Sequence, residues 1–266
     1  MKIFDTFIFF NEIELLKLRL NILYDRVDYF VIVESDKTFS GNDKPYYYEE
    51  NADMFKEYRH KILYYPTKMP LRFTNQWERE RWQRNMIINP LRKFAEPEDM
   101  VFISDIDEIP NFNAICPFYF LENTLYICNQ DFYYYYLNTK IVDKNNPTWH
   151  GSRYTAWKNV KEFGPDSLRD INNTRAMKNI KFIKNGGWHF SYLGGVEQIK
   201  YKIKSYSHQE FNNEFILSNI KSNVKQLKDP FFRKNINIVP VKMSYKTHPE
   251  YIMDNLDIYK NWIFEI

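Results

Sequence analysis

The chain has 266 residues, 44% of them hydrophobic and 18% aromatic, which is enough for the core of one large α/β domain and too apolar for a disordered polypeptide. Its net charge is only +3 with acids and bases well mixed, so nothing in the charge points to a nucleic-acid partner. Cys116 and Cys128 have neither metal-site spacing nor a disulfide framework, which fits a reducing, cytoplasmic setting.

The opening MKIFDTFIFFNEIE has no small-residue cleavage site, and no apolar run is long enough to span a bilayer, so the chain is expected to be soluble. Lys2–Phe10 reads as a buried strand. Asn11 with Glu14 has the pattern of a capping box, and Ile13, Leu16, Leu20 and Leu23 then recur at helical spacing. A second buried strand, Tyr29–Val33, ends at Glu34. This β-α-β opening predicts a parallel sheet covered by helices. Thr38–Pro45 is a turn-rich loop, and Lys61–Tyr65 is a further strand. Asn75 with Glu78 marks a helix start, and the helix runs toward Pro90, which should kink or end it. Met100–Ser104 is the next strand. The second half is less regular: an aromatic run at Asp131–Tyr136, a polar loop around Lys161–Arg175, then IKFIKNGGWHFSYLGG and a helix from about Val196. No repeat or linker divides the chain, which reads as a single domain.

The stretch Val101–Asn111, VFISDIDEIPN, ends a buried strand in acid. In extended backbone Asp105 and Asp107 point to one side, and two carboxylates held together repel unless a proton or cation neutralises them. Hard oxygen ligands suit Mg²⁺ or Mn²⁺, and open α/β sheets collect ligands where parallel strands end. The alternative is a solvated turn whose acids help start the next helix. Four of the seven glycines, Gly186, Gly187, Gly194 and Gly195, bracket WHFSYL. Trp188, Phe190 and Tyr192 alternate on one face, with His189 and Ser191 on the other. This is either a core strand between glycine turns or a place where substrate approaches the backbone closely. Glu197, near a helix start, is a helix N-terminal charge or a general base. His208 and Glu210 add a second histidine and acid. Lys200, Lys202 and Lys204 read as a solvated helix surface. Arg79, Arg81 and Arg84 precede the acidic strand and suit either phosphate or surface ion pairs. The run Tyr133–Tyr136 suits core packing, with sugar stacking open to any ring that lines a cleft.

Four blocks, DTFIFFNEIELLKLRL, VDYFVIVESDKTFSG, WERERWQRN and ISDIDEIPN, in this order resemble glycosyltransferase family 17, which includes the β-1,4-mannosyl-glycoprotein β-1,4-N-acetylglucosaminyltransferases. The resemblance covers about Lys2–Asn111, and GGWHFSY and SYSHQEF extend it to about Phe211. It implies a GT-A-like α/β fold with a mostly parallel central sheet flanked by helices. Residues 1–111 would be the nucleotide-sugar half and 112–266 the acceptor side. It further implies inverting transfer of a sugar, GlcNAc above all, from a UDP-sugar donor to a glycan acceptor, aided by Mn²⁺ or Mg²⁺. Carried over, Asp107 is the direct metal ligand and Asp105 lies nearer the ribose. Arg79, Arg84, Glu34 and Gly187 join them in the donor site, and His189 or His208 completes the metal shell. Glu197 after its Gly-Gly pair resembles the base of several inverting enzymes, with Glu210 and Asp131 as alternatives. The animal enzymes carry a membrane anchor and luminal stem, neither of which is expected from this sequence, so its acceptor need not be a glycoprotein glycan. Two other readings are a Mg²⁺-dependent phosphohydrolase, whose usual D-x-D followed by Thr or Ser is missing from DIDEIP, and a non-catalytic glycan-binding module.

Overall fold

The computed structural model describes residues 1–143, 148–170 and 177–266. Strand β1 (Ile3–Phe9) leads through helix α1 (Ile13–Leu23) to β2 (Tyr29–Ser35), which lies parallel to β1. After the short α2 (Tyr47–Glu50), β3 (Ile62–Thr67) adds in parallel beyond β2. Helices α3 (Gln76–Asn85) and α4 (Ile88–Phe94) carry the chain over the sheet to β4 (Met100–Asp105), parallel to β1 on its other side. The strand ends of this four-stranded half therefore share one edge. Strands β1, β2 and β4 are buried on both faces, which is why they read as apolar runs, whereas the edge strand β3 is only partly buried. In β2, Phe30 and Ile32 pack with Leu16 and Leu20 of α1, whereas Val31 and Val33 pack on the opposite face with Ile87 and Leu91.

The other half departs from the expected parallel sheet. After β5 (Glu108–Pro110), β6 (Thr124–Tyr134), β7 (Thr139–Asp143) and β8 (Trp149–Ala156) follow with no α-helix among the described residues between them. Strand β8 is antiparallel to both β4 and β6, and β7 is antiparallel to β6. The long β9 (Asn179–Ser191) runs parallel to β6 and antiparallel to β5, and β10 (Ile236–Pro240) closes the far edge against β7. The sheet is mixed because parallel neighbours need a crossover of a dozen residues or more: β6 and β9, far apart in the chain, can pair in parallel, whereas β6, β7 and β8 follow one another closely and pair antiparallel. At the β6–β7 turn Tyr135 has a φ of 71°, held by its N–H to Ser191 O and its hydroxyl to Lys228 O.

Several local expectations change. The Asn75–Glu78 capping box forms, but none forms at Asn11. There Glu12 turns its own carboxylate back onto the Phe10 and Asn11 N–H groups, and the Asn11 side chain instead faces Gln198. The helix breaks at Met86–Ile87, before Pro90, which falls in the first turn of α4 where a missing N–H costs nothing. Residues 157–169 are not loop but two helices, α5 (Trp157–Phe163) and α6 (Pro165–Arg169). Buried Trp157, Val160 and Leu168 drive them, and Gly164-Pro165 restarts the chain between them. The remainder of the expected polar loop, 171–175, lies outside the described residues. The first glycine pair sits inside β9 rather than in a turn, whereas Gly194 and Gly195, both at positive φ, do turn the chain into α7 (Gly195–Ser205). Helices α8 (Glu214–Lys225) and α9 (Glu250–Asp254) complete the chain. No helix among the described residues is long and apolar enough to cross a membrane.

Candidate active site

Asp105 is the last residue of β4, Ile106 and Asp107 form the turn, and Glu108 begins β5. Arg19 of α1 holds this turn from behind. Its guanidinium is fully buried, forms two hydrogen bonds with Asp5 at 2.6 and 2.7 Å, and donates to the carbonyls of Asp105, Ile106 and Glu108. An arginine on the apolar stripe of a helix is the sequence signal for such a role, and so is an aspartate in the middle of an apolar strand. Glu108 acts as a second brace: it accepts from the Asp105 N–H, the Trp149 indole and two nitrogens of Arg169.

The turn forms the floor of a cavity of about 420 Å³. Asp105 and Asp107 both face it, although β4 has ended between them, so a turn rather than extended alternation brings them together. Each oxygen of Asp105 meets a guanidinium, Arg84 at 3.0 Å and Arg169 at 3.1 Å. Asp107 meets the Lys202 ammonium at 2.8 Å and His189 Nε2 at 3.4 Å. Burial alone would raise both carboxyl pKa values. For Asp105 the two arginines win, and for Asp107 Lys202 and His189 win, so both are held below the usual carboxylate range and are ionised at neutral pH.

The walls are aromatic. His189 lies flat on Phe132, with ring centroids 4.3 Å apart and planes 4° apart, and Trp149 leans on both. The cavity grades from a deep charged end to an open mouth: the Asp107 and His189 side chains are 7% and 9% exposed, those of His208 and Glu210 49% and 54%. At the mouth, Trp77 stands edge-on to His208 at 4.7 Å, and Phe211 stacks on Phe231. Around the floor six carboxylates, Glu12, Glu80, Asp105, Asp107, Glu108 and Asp166, share three cations, Arg84, Arg169 and Lys202.

The sequence pattern of glycosyltransferase family 17 matches residues 1–261. The chain belongs to that family. No curated protein matches it. As a family 17 glycosyltransferase it is an enzyme that takes a sugar donor and an acceptor.

Of the residues expected from the sequence to be catalytic, donor-binding or metal-ligating, Asp105, Asp107, His189, His208 and Glu210 line this glycosyltransferase's cavity. The others lie elsewhere, for physical reasons. Glu34 is fully buried beside Lys44 and also accepts from Tyr47 N, Tyr48 N and the Tyr64 hydroxyl; burial raises its pKa against the pull of Lys44. Gly187 is pressed against β5, where an added Cβ would fall 2.1 Å from Ile109 O, so the glycine serves strand packing. Arg79 donates to the carbonyls of Phe39 and Thr74, and Arg84 sits behind Asp105, clamped by Glu80 and Asp166 as well. Glu197 is 86% exposed and paired with Lys200. Asp131 pairs with Lys140, on the face of β6 opposite Phe132 and Tyr134, which line the cavity. Conversely Lys202, read as solvated surface, points inward, and Tyr192, at a φ of 59°, leaves the strand's alternation to join His189 and Ser191 in the wall.

The donors for a divalent cation are few. Among the described residues no group of three or more His, Cys, Asp or Glu forms a complete shell. Asp107 Oδ1 and His189 Nε2 are 3.4 Å apart; the carboxylate suits Mg²⁺ or Mn²⁺, which take one or two carboxylates and fill the rest with water and phosphate, and the imidazole beside it suits a transition metal better than Mg²⁺. His189 Nδ1 has no partner, so stacking on Phe132 is what sets its plane. Both Asp105 oxygens are already taken, and His208 is bound to Glu210 at 2.7 Å at the mouth.

Proposed function

We propose that this enzyme has a GT-A-like donor site and transfers GlcNAc from UDP-GlcNAc to a glycan hydroxyl with inversion at the anomeric carbon. The observation that carries this reading is the Asp105-Ile106-Asp107 turn, set where a parallel strand leaves the sheet and facing a cavity with His189 beside Asp107 at its deep end. Asp107 and His189 would hold Mn²⁺ or Mg²⁺, which when bound neutralises the diphosphate. The graded cavity suits two substrates: the charged end takes the diphosphate, and the aromatic mouth takes the acceptor ring against Trp77.

Glu210 is the base in this scheme, being the one of three candidate acids that lines the cavity. Its carboxyl lies below the usual range because the His208 hydrogen bond outweighs slight burial, so it is ionised and able to accept a proton. As Glu210 takes the acceptor hydroxyl proton, the acceptor oxygen bonds to the anomeric carbon. The bond from that carbon to the phosphate oxygen breaks, and its electron pair leaves with UDP. Lys202, 2.8 Å from Asp107, would help neutralise the departing charge in this scheme.

The test is UDP release from a panel of UDP-sugars with Mn²⁺ and simple glycoside acceptors. Release greatest with UDP-GlcNAc, abolished by EDTA and by Asp107→Asn with an unchanged circular dichroism spectrum, is the expected result. A folded Asp107→Asn enzyme with near-normal turnover ends the reading.

A further inference from the structure

Lys200, Lys202 and Lys204 alternate along α7, and Lys202 alone of the three reaches the cavity. Its ammonium stands 2.8 Å from Asp107 Oδ2 and 3.8 Å from Glu12 Oε1, with the Tyr192 ring centroid 5.6 Å away. It therefore has two anionic stations and an aromatic face between the floor and the wall.

We propose that Lys202 is a transferable counter-ion, holding Asp107 in the free enzyme and passing to the donor's diphosphate when the nucleotide enters, which leaves Asp107 to the divalent cation. This rests on the UDP-sugar reading above. Asp107 offers two oxygens, one directed to His189 and the other taken by Lys202. While the ammonium stays there it occupies a lone pair and repels any second cation. Asp105 is different: two planar guanidinium groups hold it, and each is also tied to other acids, so neither is free to leave. A lysine is a point charge on a flexible four-carbon stem, with phosphate as a natural alternative partner. Glu12 supports the ammonium as it leaves Asp107, so the transfer does not pass through bulk water.

The consequence is reciprocal coupling: bound diphosphate raises metal affinity, and bound metal raises nucleotide affinity. Removing the ammonium should separate the two in opposite directions. Titration calorimetry with Mn²⁺ alone, and with UDP alone in EDTA, is done on the wild-type enzyme and on Lys202→Met, whose stem still covers Tyr192. The variant is expected to bind Mn²⁺ more tightly and UDP more weakly, each by a factor within the usual coupling range of roughly 5–150-fold. A variant that has merely loosened the fold would lose affinity for both. If both affinities fall together, or neither moves, the proposal is overturned. If the wild-type enzyme binds no UDP, in EDTA or in a further titration with Mn²⁺ present, the donor reading fails and takes this inference with it. Should Lys202→Met unfold non-cooperatively, Lys202→Gln replaces it with the same expected outcomes.

Discussion

Replacing Arg19 with methionine removes every donor that holds the acidic turn from behind while keeping much of the buried volume. Asp5, wholly buried under α1, then loses its cation, and the carbonyls of Asp105, Ile106 and Glu108 lose a shared one. Breaking a buried ion pair by deleting one partner costs about 3–5 kcal/mol, since the other charge is left uncompensated. That is about a fifth or more of the roughly 5–15 kcal/mol by which a domain is stable. In a chain of this size it corresponds to a Tm lower by roughly 6–20 °C. Urea unfolding followed by tryptophan fluorescence, together with calorimetric melting, measures it. A second variant separates the two jobs of the guanidinium. Asp5→Leu with Arg19→Met removes both charges and should recover most of the stability, because a buried pair exchanged for apolar groups is often neutral. It should not recover UDP affinity, because the three turn carbonyls still lack their donor. A single-variant cost below about 1 kcal/mol, far under the range for a buried pair, refutes the argument. So does a double variant with full UDP affinity.

Two further outcomes are expected. Glu210→Gln should keep UDP binding and lose about 10²–10⁴-fold in transfer rate, whereas Glu197→Gln, altering an exposed side chain, should stay within a few-fold of wild type; the reverse order would move the base to α7. Asp107 has a folded pKa held low by Lys202 and His189, so its stabilising contribution is present above the unfolded carboxyl value of about 3.9 and disappears as pH falls through the lower folded value. The Asp107→Asn protein should therefore show a flatter loss of stability below about pH 4 in acid-unfolding curves, and an unchanged slope would show that the ion pair is not formed.

The parts of the fold readable from the sequence are those with a local signal. The apolar runs of β1, β2 and β4, the periodicity of α1 and the Asn75–Glu78 box are each confined to a dozen residues. Strand direction in the second half depends on which distant strand lies alongside, and no window around Thr124–Tyr134 records that β8 and β9 flank it in opposite senses. Glu34 misled for a related reason. It closes a parallel strand as Asp105 does, but the TFSGNDKP loop folds back and brings Lys44 onto it, so that strand end carries its own counter-ion and is sealed.

Helix α7 shows how one rotational phase decides two assignments at once. At about 100° per residue, Glu197 and Lys202 are roughly 140° apart around the axis, so the cavity cannot receive both. Lys200 and Lys204 are each about 160° from Lys202, which makes an alternating lysine stripe two different surfaces on a helix. The phase is set at the start of the helix by Gly194 and Gly195, at φ 97° and 85°, and fixed by Ile199 and Ile203, which are buried with Ile216 and Ile220 of α8. With those two isoleucines inward, Glu197 falls on the solvent side beside Lys200, and Lys202 swings over Asp107. The apolar positions were visible in the sequence, but which side of that stripe faced the cavity depended on α8 and on the turn before α7. The Gly-Gly pair thus does position a charged side chain at the acidic turn, and that side chain is the lysine five residues beyond the glutamate.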